Sequence, residues 1–395
     1  MTHVARSRWT VLLVFTLVAG LTQALWLNFV PILSQIQGRY HVDELTASSL
    51  ILVFPALYVV LSLHAGALID RRGYRYSVSV GALLMTVFAA LRIYTGSFYA
   101  LLIGQIGIAV AQPYIVNGIS KLVADWFPPD QNAAANGLGT VGLFLGMAAG
   151  LGLTPELVER FSLSTTMALF AGLSLLGTGL FLLLGHEKQA SHRADATLWS
   201  ESKALFSDRN LLRLFFIAAL ALGYFNGLTT WLELILAPRG INSMQAGLAG
   251  AALIVGGIVG AAVVPAISDK LGRRKPFLLL CSLAALILTH PLCYSSQTTI
   301  LYVLSAALGA AFLPGYALLL AMTEEEAGSE RAGAATGVMM MTGNAGGVVI
   351  SIAMQVLKGD STEWRNAIWF LLGVLVVALL IALQVRETGR ARARA

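Results

Sequence analysis

A short motif that occurs twice, half a chain apart, limits this sequence to a fold with two related halves. Residues 66–75 read GALIDRRGYR, and residues 265–275 read PAISDKLGRRK. Asp70 and Asp269 lie 199 positions apart in a chain of 395 residues. Each copy occupies a short polar gap between two long apolar runs. A basic loop repeated at this place is typical of a two-bundle membrane transporter.

The composition requires a membrane as solvent. Apolar residues make up 57% of the chain and charged residues 12%, whereas a soluble domain carries about 25% charged residues. Twelve apolar stretches are long enough to cross a bilayer, which takes roughly 17–25 residues each. They begin near Thr10, Ala47, Tyr76, Phe98, Asn132, Ser164, Leu211, Met244, Pro276, Thr298, Ala332 and Ala367.

The basic residues predict the orientation of these spans. With both termini and every even-numbered loop in the cytosol, 20 of the 26 lysines and arginines lie on the cytosolic side. The positive-inside rule therefore predicts an integral protein of the plasma (inner) membrane with both termini cytosolic. The net charge of +6 belongs to this bias and does not indicate nucleic-acid binding.

The spans divide into two sets of six around one polar stretch. We expect an all-α membrane protein with an N-terminal six-helix bundle at 1–185, a cytosolic linker at 186–210 and a C-terminal six-helix bundle at 211–395. A second repeat supports this division, because residues 133–137 (AAANG) match residues 333–337 (GAATG) at an offset of 200. Glycines concentrate inside the spans, where small residues let helices approach closely in lipid.

The motif loops resemble the signature of the major facilitator superfamily, G-x-L-x-D-R-x-G-R-R/K, which lies between its second and third helices. The matching residues are Gly66, Leu68, Asp70, Arg71, Gly73 and Arg75 in the first copy, and Asp269, Lys270, Gly272, Arg273 and Arg274 in the second. The resemblance implies two pseudo-symmetric six-helix bundles around a central cavity. It also implies alternating access controlled by the motif loops.

A narrower resemblance is to the feline leukaemia virus subgroup C receptor-related transporters. It rests on residues 24–28 (ALWLN), 111–115 (AQPYI) and 126–128 (WFP), and it is densest from about 9 to 150. That family is associated with transport of choline and ethanolamine, and earlier with haem export. The chain departs from it at Ile119, where the family tends to have proline, and at Asn344, where it tends to have glutamine.

We expect the motif loops to hold the cytosolic side shut through ion pairs that break when it opens. Arginines 71, 72 and 75 would pair with Asp125, and residues 270, 273 and 274 with glutamates 324–326. The alternative is that the positive charge only sets the topology. The predicted gating residues are Asp70, Arg71, Gly73, Arg75, Asp125, Asp269, Arg273 and Glu325.

Trp26 is the first candidate for contact with a solute, because it lies about midway along the first span. An indole at that depth either packs against lipid or holds a cation on its ring face, a contact worth about 2 kcal/mol when desolvated. Polar residues in other spans either line the same cavity or bond between helices. The predicted substrate-binding residues are Trp26, Gln112, Tyr114, Asn226 and Asn344.

Two charged residues within or beside spans are candidates for coupling. Glu233 lies toward the outer end of the seventh span, and Arg92 lies near the outer end of the third. Intramembrane carboxylates are functional suspects. Glu233 would bind a substrate cation, take a proton or pair with Arg239.

The sequence therefore predicts a transporter that moves a small organic solute by alternating access, with a small organic cation such as choline as the favoured substrate. The alternatives are a proton-coupled exporter of drugs or metabolites, uptake of a small organic anion, or a receptor that does not transport. No catalytic constellation or Walker sequence occurs, so we expect no enzyme, no cofactor and no metal. The expected partners are the solute and the bilayer, with no nucleic acid, and the expected state is a monomer.

Overall fold

The fold is all-helical in the part of the chain that the computed structural model describes, which is residues 2–128, 131–187, 205–328 and 331–388. Those residues contain no β-strand. This is the expected outcome for a chain in lipid, where every backbone N–H and C=O must find its partner within the protein. Most of the predicted linker at 186–210 lies outside the described residues.

Contacts divide the chain into two units, Met1–Asp195 and Ala196–Ala395. In unit 1 the helices are α1 (Thr2–Leu27), α2 (Leu33–Tyr40), α3 (Glu44–Arg72), α4 (Tyr74–Leu91), α5 (Phe98–Val116), α6 (Gly118–Trp126), α7 (Asn132–Arg160) and α8 (Leu163–Leu184). In unit 2 they are α9 (Arg209–Leu236), α10 (Ser243–Leu271), α11 (Lys275–Cys293), α12 (Thr298–Ala327), α13 (Ala332–Lys358) and α14 (Arg365–Gln384).

The described residues contain 12 helical segments long and apolar enough to cross a membrane, six in each unit. In unit 1, α1 with α2 makes one span, Arg8–Tyr40, and α5 with α6 makes another, Phe98–Trp126. Each predicted start lies within three residues of the first residue of a span. The predicted all-α fold of twelve spans is therefore confirmed.

The two units use the same helix neighbours. In unit 1, α1 packs on α7, α3 on α5, α4 on α5 and α4 on α8. In unit 2 the helices of the same rank repeat these pairs: α9 packs on α13, α10 on α12, α11 on α12 and α11 on α14. The sequence repeat is therefore a repeat of packing as well.

Glycines bring several of these helix pairs into backbone contact. A Cβ added at Gly146 of α7 would clash with the carbonyl of Gly20 in α1, and one at Gly260 of α10 would clash with that of Ala310 in α12. Apolar side chains gain little from leaving lipid, so close backbone approach supplies the dispersion energy that holds such pairs together.

Replacing Gly260 by alanine should therefore destabilise unit 2. The added methyl group meets backbone rather than a flexible side chain, so α10 and α12 must separate, at a cost typical of overpacking of about 1–3 kcal/mol. We expect Gly260→Ala to lower the midpoint of thermal unfolding in detergent. Gly179→Ala is the matched control, because nothing lies within 4 Å of a Cβ at that position. Equal midpoints for both variants would contradict this account of the packing.

Candidate functional site

Two spans of unit 1 are interrupted next to the predicted binding residues. The first span leaves α-helical geometry after Leu27 and continues as a 3₁₀ turn, Val30–Ile32, before α2. The fourth span breaks at Asn117, between α5 and α6. Interrupted helices free backbone groups inside the membrane, and transporters commonly bind solutes at such breaks. Trp26 lies just before the first break, and Gln112 and Tyr114 lie just before the second.

Trp26 lies inside unit 1 rather than facing lipid. Its side chain is 8% exposed, and its ring lies 6.0 Å from that of Phe54 at an interplanar angle of 26°. The indole Nε1–H donates to the carbonyl of Ile51 at 3.1 Å. That carbonyl lacks its helical donor because Pro55, four residues on, has no N–H. The proline of α3 thus fixes the orientation of the tryptophan of α1.

Tyr114 and Gln112 lie on either side of Pro113 in α5. The Tyr114 hydroxyl lies 2.6 Å from Nδ1 of His64, a residue of α3. Gln112 is 4% exposed, and its Nε2 has no hydrogen-bond partner within the described residues.

Asn117, at the break itself, is tied to α3. Its Oδ1 accepts a hydrogen bond from the Tyr58 hydroxyl at 2.5 Å. Its Nδ2 donates to Oγ of Ser62 at 3.2 Å. Polar side chains of α3 therefore hold the second break in addition to the backbone bond from the Asn117 N–H to the Pro113 carbonyl at 3.2 Å.

Two further buried amides flank Trp26 in sequence, although the sequence analysis did not single them out as site residues. Asn28 is fully buried, and both polar atoms of its amide lack hydrogen-bond partners in the described part of the chain. Oε1 of the buried Gln23 also lacks a partner there. A buried polar group without a partner costs about 1–3 kcal/mol. Amides on both sides of Trp26 in an apolar run were the signal in the sequence.

Arg92 is held inside unit 1 by the end of α1. It is fully buried, and its Nη1 donates to Gln105 Oε1 at 2.7 Å and to the Leu25 carbonyl at 3.3 Å. Gln105 Nε2 in turn donates to the Leu50 carbonyl at 2.8 Å. Leu25 lies in the last turn of α1, where carbonyls lack helical donors and carry partial negative charge. Arg92 therefore stabilises the first break and is enclosed by protein.

The candidates in unit 2 lie on facing helices. Asn226 of α9 is 3% exposed, and its Nδ2 packs against Gly347 of α13 without a hydrogen-bond partner in the described residues. Asn344 of α13 is half-buried, and its Nδ2 donates to the Met340 carbonyl one turn earlier at 2.9 Å.

Glu233 is buried near the end of α9. It is 3% exposed, and its Oε1 accepts a hydrogen bond from the Ser243 hydroxyl at 3.2 Å. Arg239, the partner that the sequence offered for Glu233, lies 3.8 Å from Glu363. The guanidinium of Arg239 also donates to the Ile235 carbonyl at 2.8 Å.

The first motif loop is a single residue, Gly73, between α3 and α4. Its φ of 83° lies in the region that favours glycine. Asp70 and Arg71 lie in the last turn of α3, and the Arg75 guanidinium donates to the Leu182 carbonyl at 3.4 Å.

Asp125 has a different partner from the predicted arginines. Its ion pair is with Lys121, one turn earlier on α6, at 3.0 Å. Residues at i and i+4 on one helix are always close, whereas a partner on the motif loop depends on how the helices pack.

The second motif loop contains the predicted cluster of ion pairs, with Arg274 at its centre. The Arg274 guanidinium lies 2.5 Å from Asp269 and 2.9 Å from Glu325. Burial alone would lower the pKa of Arg274, but Glu325 and Asp269 together raise it above its usual value. The predicted Arg273 instead contacts Ser268 through its backbone, with its carbonyl accepting from the Ser268 hydroxyl at 2.7 Å.

A glutamate that follows each set of six spans lies against the motif loop of its own unit. In unit 2, Glu387 accepts from the backbone N–H of Arg274 at 2.7 Å and of Lys275 at 3.2 Å, at the start of α11. In unit 1, the Glu187 carboxylate lies against Gly73, at the start of α4. Positions 187 and 387 are 200 apart, so the repeat offset could have identified both.

These features define a class of protein. Two units of six spans, each with an acidic and basic loop between its second and third spans, are the architecture of a two-bundle membrane transporter.

Comparison with other proteins agrees with this class. The sequence pattern of the Major Facilitator Superfamily matches residues 12–350 and, a second time, 240–395. The choline/ethanolamine transporter FLVCR1 of Felis catus is 26% identical over 413 residues, covering 96% of this chain and 73% of that protein. Solute carrier family 49 member A3 of Xenopus tropicalis is 23% identical over 380 residues, covering 89% and 78%.

Solved structures agree on the fold. A bacterial homolog of the human lysosomal transporter Spinster, inward-facing and unoccupied, superposes with a TM-score of 0.76 at 14% identity, covering 96% of this chain and 97% of that one. The nucleoside transporter NupG gives 0.76 at 15% identity, with 95% and 99% covered. The chain belongs to the Major Facilitator Superfamily. It is a membrane transporter rather than an enzyme, and it resembles the FLVCR-related proteins as the sequence predicted.

Glu387 should control the start of α11. Replacing it by glutamine removes a charge-assisted acceptor for two backbone N–H groups, and bonds of that kind contribute about 1.5–3 kcal/mol. We expect hydrogen exchange at Arg274 and Lys275 to become roughly tenfold faster in Glu387→Gln, which corresponds to about 1.4 kcal/mol.

The matched control is Glu363→Gln, which removes an acidic charge elsewhere in unit 2. It should leave exchange at Arg274 and Lys275 as in the wild type. Wild-type exchange rates in Glu387→Gln would rule out the capping role of this carboxylate.

Proposed function

We propose that this protein moves a small organic solute across the membrane by alternating access, and that the solute is a small organic cation such as choline. The observation that carries the proposal is the combination in unit 1 of an enclosed indole, Trp26, with the buried amides of Gln23, Asn28 and Gln112. A ring face and neutral amide dipoles are suited to a cation that has lost its water.

The ring face of Trp26 favours a cation that donates no hydrogen bond. A quaternary ammonium cannot donate hydrogen bonds from its nitrogen, so a ring face contributes more than a hydrogen-bond acceptor would. The buried residues of unit 1, within the described part of the chain, include no aspartate or glutamate. Binding would then rest on cation–π contact, dispersion and amide dipoles.

The relatives support the same choice of substrate class. FLVCR1 of Felis catus is named as a choline/ethanolamine transporter. That protein is 26% identical to this chain, and residues 24–28 and 111–115, which resemble its family, lie on the two interrupted spans.

The contacts of unit 2 and the orientation in the membrane complete the proposed transporter. We propose that Asn226 and Asn344 contribute the contacts of unit 2 to the solute. We further propose plasma-membrane residence, cytosolic termini, a monomer, and bundles at 1–185 and 211–395 joined by 186–210. The excess of basic residues at one end of the spans supports the orientation.

We propose that the motif loops act as cytosolic gates. The cluster of Arg274 with Asp269 and Glu325 supports this, because conformational states that differ by only a few kcal/mol can be shifted when such pairs form or break. Asp70, Arg71, Gly73 and Arg75 would serve the same purpose in unit 1, with Asp125 paired to Lys121.

A second candidate function is proton-coupled transport. Glu233 favours it, because a carboxylate 3% exposed within a span is expensive unless it serves function. The buried positive charge of Arg92 would favour an anionic substrate. Its hydrogen bonds to Leu25 and Gln105 favour a structural role instead.

Uptake into proteoliposomes tests the proposal. Radiolabelled choline, ethanolamine and a small organic anion should be compared, each with and without a pH gradient. Saturable choline uptake without a gradient supports the proposal. Uptake of only the anion, or uptake that requires the gradient and is lost in Glu233→Gln, would replace it with the alternatives.

Trp26 should dominate choline binding. Trp26→Ala removes the ring face and should weaken binding at least about tenfold, or about 1.4 kcal/mol. Trp26→Phe keeps part of the quadrupole and should lose less, although both variants lose the hydrogen bond to Ile51. Calorimetric titration measures this, with Trp369→Ala as control because that indole is 56% exposed. Equal affinity in all four proteins would exclude Trp26 from the site.

The gating aspartates should affect turnover more than folding. Asp269→Asn removes the charge that lies 2.5 Å from Arg274, and Asp70→Asn removes its counterpart in unit 1. We expect both variants to keep a wild-type unfolding midpoint and to transport at least tenfold more slowly. Asp360→Asn, which changes an exposed aspartate after α13, should transport normally. Normal rates in both motif variants would refute the gating proposal.

A further inference from the structure

A basic cavity lies at the start of α9, far along the chain from the candidate solute residues of unit 1. It has a volume of about 460 Å³ and is lined by Ser207, Asp208, Arg209, Asn210, Arg213 and Arg386. None of the three arginine guanidiniums forms an ion pair or hydrogen bond with the residues that the structure describes. Three cations thus converge on one cavity with a single carboxylate among them.

That carboxylate is already engaged by the helix. Asp208 Oδ1 accepts from the backbone N–H of Asn210 at 2.7 Å and of Leu211 at 3.1 Å, so Asp208 is the N-cap of α9. Its geometry is set by the backbone rather than by the arginines. The wall of the cavity therefore carries a net positive charge of about two.

Asn210 adds a buried donor to this wall. It is 2% exposed, and its Oδ1 accepts from the backbone N–H of Arg386 at 2.9 Å. This bond fixes which end of the amide is the acceptor. Nδ2, on the other end, has no partner among the described residues. Guanidinium and amide donors together are the groups that recognise phosphate oxygens.

The two helices that carry the cavity residues, or end just before one of them, also carry exposed apolar side chains a few positions away in sequence. Leu212 and Phe216 of α9 are 39% and 53% exposed, and Leu380 and Leu383 of α14 are 54% and 52% exposed. Both helices are membrane spans, so these side chains form surface that suits acyl chains. A soluble anion would gain nothing from them, whereas an amphiphile would use both surfaces.

We propose that Arg209, Arg213, Arg386 and Asn210 bind the phosphate of an anionic phospholipid headgroup, whose acyl chains lie along Leu212, Phe216 and Leu383. Basic pockets beside membrane helices are suited to such headgroups, and each arginine near an anionic membrane surface contributes about 1 kcal/mol. The site is separate from the solute proposal and does not depend on it.

Native mass spectrometry of the full-length protein in detergent tests the proposal. Phosphatidylglycerol, phosphatidylcholine and inorganic phosphate are titrated separately. The wild type should retain phosphatidylglycerol in preference to phosphatidylcholine. Arg209→Gln/Arg213→Gln should bind phosphatidylglycerol roughly thirtyfold more weakly, which corresponds to about 1 kcal/mol per arginine.

Two further variants separate this site from general electrostatics. Arg331→Gln/Arg365→Gln removes the same charge from exposed positions outside the cavity and should retain the lipid. Asn210→Asp keeps the acceptor for Arg386 but replaces the Nδ2 donor with a charged oxygen, and it should also weaken binding.

Three results would overturn the proposal. They are equal retention of the two lipids by the wild type, an equal loss in the control pair, and an equally tight complex with inorganic phosphate. The last result would indicate a soluble-anion site instead.

Discussion

Backbone hydrogen bonding in lipid is the constraint on which the rest of this structure depends. A regular helix satisfies its own groups, so any interruption must be compensated by side chains inside the protein. Both breaks in unit 1 show this. The Leu25 carbonyl at the end of α1 accepts from Arg92, and the Tyr114 carbonyl before the second break accepts from the Ser77 hydroxyl at 3.0 Å. Polar groups are therefore concentrated where the helices are interrupted, and so are the candidate binding residues.

The duplication conserves positions but not every contact. Glu187 and Glu387 lie at the same offset, and each lies at the start of the helix that follows its motif loop. The loop glycines differ in geometry, since Gly73 has a φ of 83° and an extended ψ, whereas Gly272 adopts a left-handed helical conformation. Arg274 has partners on two other segments, while Asp125 has one on its own helix. The halves share a scaffold whose ionic contacts have diverged.

The sequence predicted the spans well and the pairings less well, for a physical reason. The length of an apolar stretch can be read directly along the chain, and it predicted the first residue of each span to within three residues. Arg273 and Arg274 lie in the loop between α10 and α11, where no helical periodicity indicates which of them meets Glu325. Pro55 presents the same difficulty, because its effect on Trp26 appears only when α1 and α3 are packed together.

The charge of Arg92 sets a condition on the substrate. At an effective dielectric constant of about 20, two like charges roughly 10 Å apart repel by about 1.7 kcal/mol, close to the roughly 2 kcal/mol of a desolvated cation–π contact. The end of α1 offsets part of this repulsion, because its last carbonyls carry negative partial charge and Leu25 already bonds to the guanidinium. A cation at Trp26 therefore needs further dipoles, and the oxygens of Gln23 and Asn28 are the buried acceptors nearest to it in sequence. Selectivity for a cation would then depend as much on these amides as on the indole.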